Sequence, residues 1–176
     1  MPKRDAEEAA ARVLRESGLL GEVPTPIEDV AAKRGAQVVR ERLDRDVSGL
    51  LFRDDESVMI GVNDLHAPRR QRFTIAHEVG HLEMHKGRRL VLDHVRINMR
   101  DATSSTATDV EEIEANQFAA AILMPSDLVI REARRLLKDD PSATDASIVP
   151  LLAHGFEVSE QAMEIRLVNL GLRRQI

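Results

Sequence analysis

The first chemical signal in this 176-residue chain comes from two histidines and a glutamate. His77 and His81 are four residues apart, and Glu78 directly follows the first. On a helix, residues four apart stand on one face, so both imidazoles can reach one metal ion. Glu78 then borders the water that such an ion activates. In this H-E-x-x-H arrangement the histidines bind zinc and the glutamate serves as general base. Two ordinary surface histidines could share the spacing. Ile75, Ala76, Val79 and Gly80 argue against that, because they set the motif among apolar residues.

A catalytic zinc needs a third protein ligand and one position left for water. The candidates are His85, Glu111, Glu112 and Glu114. Ligands at 77, 81 and 85 of a straight helix spread over about 12 Å, too far to share one ion. His85 is therefore expected behind the ligands or at the helix end. Thr108 and Glu111 read as a T-x-x-E capping box, which assigns Glu111 to a helix start. Glu112 shares a helical stripe with Asn116, Ala119 and Leu123. A carboxylate on such a stripe is costly unless paired or bound to metal, so Glu112 is preferred as the ligand. Glu114 points the other way and reads as a surface residue. Asn116, one turn beyond Glu112, either holds a ligand histidine by hydrogen bond or is an ordinary satisfied amide.

The elements that must position these groups are legible in outline. Pro68 opens a long helix through the motif, with Lys86 and Gly87 as its expected stop. Upstream, residues 4–17 and 27–33 read as helices and 37–40 as a strand. Residues 49–53 and 57–63 read as a hairpin around the polar 54–56 turn. Residues 98–109 read as a polar loop that could cover the cleft or merely connect. Helices follow at about 109–124, 126–138, 143–153 and 159–169. The expected fold class is α+β: mostly helical, with a small antiparallel sheet packed on the active-site helix and C-terminal helices beyond. One domain spanning 1–176 is expected, its 143–172 part resembling a helix-turn-helix.

Composition narrows the chemistry. The chain has no Cys, which excludes disulfides, thiolate ligands and a cysteine nucleophile. It has no Tyr, so an oxyanion donor must be His85, His94, His66, an arginine or nothing. The first residues, MPKRDAEEAA, lack an apolar stretch, so no signal peptide is expected. The longest apolar run, 118–125, is too short to cross a bilayer. A cytoplasmic location is the expectation. A formal charge of −5 offers no general attraction to nucleic acid.

The segments R-Q-R-F-T-I-A-H-E-V-G-H (70–81) and E-I-E-A-N-Q-F-A-A-A-I-L-M-P (112–125) together resemble the ImmA/IrrE family of metallopeptidases. The likeness extends to I-G-V-N (60–63) and to V-S-E-Q-A-M-E-I-R-L-V-N-L-G-L (158–172). It implies a zinc-dependent endopeptidase with a gluzincin-like core, with His77, His81 and Glu112 as ligands of Zn2+ and Glu78 as base. It also implies a protein substrate, typically a helix-turn-helix repressor of a mobile element, stress response or toxin–antitoxin-like operon.

Two rival functions follow from the same residues. One is a protein that binds such a regulator without cutting it, which would have no need of Glu78. The other is a DNA-binding module at 147–169. There Glu157, Glu160 and Glu164 stand against a single Arg166, so direct nucleic-acid binding is disfavoured. Two further expectations concern surfaces. If strand 57–63 is a sheet edge, an extended substrate could pair with it. Arg69, Arg70 and Arg72 read as a solvated face rather than a docking patch.

Overall fold

The computed structural model describes residues 2–85, 90–93 and 107–172. In chain order the elements are α1 (Pro2–Glu16), α2 (Ile27–Lys33), β1 (Ala36–Glu41), β2 (Gly49–Arg53), β3 (Val58–Asn63), α3 (Pro68–Met84) and β4 (Leu90–Asp93). Four helices follow: α4 (Ala107–Leu123), α5 (Ser126–Asp139), α6 (Asp145–Gly155) and α7 (Glu160–Asn169).

The β2–β3 hairpin forms where the polar turn predicts it. Asp54 Oδ1 accepts from the backbone N–H of Glu56 and Ser57, at 2.9 and 2.7 Å, closing the turn with its own side chain. The sheet order is β1-β3-β2-β4. The expected antiparallel pairing holds for β2 with β3 and β2 with β4, whereas β1 runs parallel to β3 and makes the sheet mixed. β4 is not among the strands expected from the sequence. β3 is not an edge: it is paired on both sides, so no substrate strand can add to it. Ile60, Gly61, Val62 and Asn63 are all buried, as a central strand requires. Asn63 turns its amide to the carbonyls of Val47 at 2.8 Å and Asp44 at 3.1 Å, fixing the loop that delivers β2.

α3 begins at Pro68 as expected but ends earlier than Lys86 and Gly87, which lie outside the described residues. Its cap is His85, in extended conformation. Eight consecutive residues, Thr74 to His81, are buried. A helix buried all round needs partners on both sides. The sheet covers one side and α4 the other. Gly80 allows the close approach of the two helices: a Cβ there would lie 3.2 Å from the Ala115 backbone and from Phe118 Cδ1. Ile75, Val79, Phe118 and Ile122 are fully buried, each contributing about 1.5–3 kcal/mol. α4 starts at Ala107, so Thr108 lies inside the helix rather than ahead of it as a cap.

Two of the three arginines near the start of α3 are not simply solvated, while Arg69 is exposed as expected. Arg70 donates to Ser48 Oγ at 2.9 Å. Arg72 donates to the Thr25 carbonyl at 2.8 Å and pairs with Glu157 at 3.5 Å. Both tie the helix start to neighbouring segments.

Candidate metal centre

Because α3 is buried around its middle, His77 and His81 are withdrawn from solvent, at 0 % and 1 % exposure. Their Nε2 atoms lie 3.0 Å apart. Glu112, one turn into α4, brings Oε2 to 3.4 Å from His77 Nε2 and Oε1 to 3.3 Å from His81 Nε2. A tetrahedral zinc with ligands at about 2.1 Å holds its donors about 3.4 Å apart. The three donors stand at nearly that spacing, and two imidazoles with one carboxylate are the donor types zinc takes. The residues therefore fit the ion. Burial alone would raise the Glu112 carboxyl, but hydrogen bonds and charge from His77 and His81 outweigh it and hold the group well below the usual range.

The far nitrogens of both rings are also engaged. His77 Nδ1 meets Asn116 Oδ1 at 3.1 Å, so Asn116 holds a histidine and is not an idle amide. His81 Nδ1 meets His85 Nδ1 at 3.0 Å. His85 therefore sits behind His81, outside the His77–His81–Glu112 cluster. Its other nitrogen, Nε2, lies 3.0 Å from Glu114 Oε2. Glu114 is thus not the surface residue the helical wheel suggests. It faces away from Glu112 about the α4 axis, but the chain at His85 has left the helix and its ring meets Glu114 there. No spacing rule within α4 could reveal this.

Glu78 is fully buried. β2 reaches it at Gly49, where an added Cβ would stand 3.1 Å from Glu78 Oε1 and 2.4 Å from Thr74 Cγ2. In the sequence, Gly49 shows only as a glycine opening a strand, which does not mark it as a neighbour of Glu78.

Among the oxyanion candidates, His85 has both nitrogens committed elsewhere. His66 precedes α3 and lies about 13 Å of helix rise or more from His77. His94 and the 98–106 segment lie outside the described residues.

Comparison with known proteins agrees with this centre. Residues 31–168 match the sequence model of the Peptidase M78 family, described as the IrrE N-terminal-like domain. A curated relative, the radiation response metalloprotease IrrE of Deinococcus radiodurans, is 36 % identical over 83 residues. That stretch covers 47 % of this chain and 24 % of the relative, so the chain matches about a quarter of that protein's length. The family match takes in β1 to β3, both helices of the metal cluster and nearly all of α7, and on that extent the chain belongs to the IrrE N-terminal-like family of metallopeptidases.

Proposed function

We propose that the protein is a zinc-dependent endopeptidase acting on a protein substrate, most plainly a helix-turn-helix repressor or related regulator of a mobile element, stress response or toxin–antitoxin-like operon. The observation that carries the reading is the convergence of His77 Nε2, His81 Nε2 and the Glu112 carboxylate at zinc-ligand spacing, with Glu78 buried on the same helix.

His77, His81 and Glu112 would hold the ion, which supplies a Lewis acid that acidifies water and polarises a peptide carbonyl. Glu78 takes the proton of the attacking water and returns it to the leaving nitrogen. Asn116 and His85 keep the two imidazoles turned with Nε2 toward Glu112. The chain would act as one unit over 1–176 in the cytoplasm, with 143–172 as its helical C-terminal part. Among the described residues no helix is long and apolar enough to cross a membrane. DNA binding through α7 is disfavoured further by Arg166. The guanidinium is buried, bonded to Glu7 and to the Met124 carbonyl, and out of reach of a phosphate.

The test is co-expression with a repressor encoded beside the protein, followed by mass measurement of its fragments. Wild type should cut. Glu78→Ala should keep its zinc and lose cleavage by about 100-fold or more. If both forms relieve repression equally without fragments, the protein acts by contact alone.

A further inference from the structure

We infer that a pocket between the first turns of α3 and α7 receives an apolar side chain of the substrate, one flanked by acidic residues. The inference deepens the peptidase reading and rests on it for the identity of the occupant.

The pocket holds about 50 Å³ and is lined by Arg69, Arg70 and Phe73 of α3 and by Val158, Ser159 and Ala162 at the start of α7. A single water needs about 10–15 Å³, so there is room for the branched end of a leucine or valine. Phe73, Val158 and Ala162 make the walls apolar. The Ser159 hydroxyl is engaged by its own helix, accepting from the Ala162 N–H at 3.1 Å. Water in such a place finds few partners, whereas a hydrocarbon group gives up none.

Position ties the pocket to the metal centre. Phe73 and Arg70 stand four and seven residues before His77, on the same face of α3, at about 6 Å and about 10 Å along its axis. Arg70 donates to Ser48 Oγ at 2.9 Å, and Ser48 adjoins Gly49, whose backbone lies against Glu78. An extended peptide crossing the metal centre therefore reaches the Phe73 turn within about two residues.

Charge names the flanking residues. Arg69 is exposed and has no ion pair among the described residues, and Arg70 is exposed beside it. The glutamates of α7 do not neutralise this rim. Glu160 and Glu164 stand two residues to either side of Ala162, about 160° round the helix from it. Glu157 is engaged by Arg72 at 3.5 Å. Two cations at the rim favour Asp or Glu beside the apolar residue and disfavour Lys or Arg. The apolar walls argue against a nucleic-acid phosphate, which would leave them uncovered.

The test uses the full chain carrying Glu78→Ala, so that no peptide is cut, and follows the methyl groups of Val158 and Ala162 by carbon-13 NMR. The probes are short blocked peptides: Ser-Gly-Asp-Leu-Asp-Gly-Ser, and the same peptide with Asp-Ala-Asp or Lys-Leu-Lys at its centre. The first should shift both methyls saturably. The alanine peptide should bind about tenfold more weakly, and the lysine peptide about fivefold more weakly. Ala162→Leu should fill the pocket and erase the difference between the leucine and alanine peptides. Arg69→Glu, at an exposed position, should reverse the preference between the Asp and Lys peptides. Equal binding of the three peptides, methyls that none of them moves, or preferences that survive both variants would overturn the inference. So would methyl shifts that follow protein concentration alone, which would mean that a second copy fills the pocket. Cleavage by wild type is scored separately. Selective binding without cleavage would defeat the peptidase reading and leave the pocket standing; cleavage with unmoved methyls would do the reverse.

Discussion

A carboxylate one-third exposed yet held firmly ionised needs strong partners, and at Glu112 those partners are the two histidines. Its folded-state value lies below the unfolded one. It therefore stabilises the metal-free fold fully above about pH 4.5, and that stability is lost as the pH falls through the lower folded value. Glu112→Gln should lack this acid-side loss, which urea titrations between about pH 6 and pH 3 would resolve. The same variant should bind zinc more weakly than Asn116→Ala, for which a loss of about 10–100-fold is expected in chelator competition. At this scale the sequence was informative wherever one helix decides the matter. The four-residue spacing gave His77 and His81, and the apolar stripe gave Glu112 and Asn116. Glu114 escaped because its partner, His85, sits where a different helix ends, and no spacing within α4 shows which residue of another helix comes to lie beside it.

Between elements, the centre depends on backbones approaching where no side chain intervenes. Gly49 is the tightest such point: an added methyl would meet Thr74 Cγ2 at 2.4 Å and the Gly61 carbonyl at 2.9 Å. Backbone cannot step aside as a side chain can, so Gly49→Ala should push β2 from α3 and cost about 1–3 kcal/mol in urea unfolding. Cleavage should fall as well, because β2 is the strand set against Glu78. Gly155→Ala is the control, since a methyl there meets nothing within 4 Å, and stability should change by no more than about 0.5 kcal/mol. The sequence announced the hairpin, whose turn chemistry is local. It did not announce the strand order. Periodicity identifies a strand but says nothing about its neighbours, so the insertion of β3 between β1 and β2 became visible only in the assembled sheet.

For the molecule as a whole, the question is what keeps α4 in place against α3. α1 lies outside the family-matched residues 31–168, yet it supplies buried Ala6, Ala10, Val13 and Leu14 to the common core. One of its polar fastenings is Glu7, which receives the Arg166 guanidinium from α7, while Arg166 Nε donates to the Met124 carbonyl at the end of α4. One buried cation thus joins the first helix, the last helix and the helix that carries Glu112. Removing it leaves the Met124 carbonyl short of a donor and Glu7 short of a partner. Glu7 is 30 % exposed and can turn to water, which moderates the loss. Arg166→Ala should therefore cost about 3 kcal/mol, toward the lower end for breaking a buried pair, and Glu7→Ala less. A double-mutant cycle on the two positions in urea should return a coupling of about 1 kcal/mol or more. Zinc affinity should fall in Arg166→Ala even though the site is untouched, because α4 is then held less firmly. A variant as stable as wild type, with zinc affinity intact, would mean that apolar packing alone seats α4.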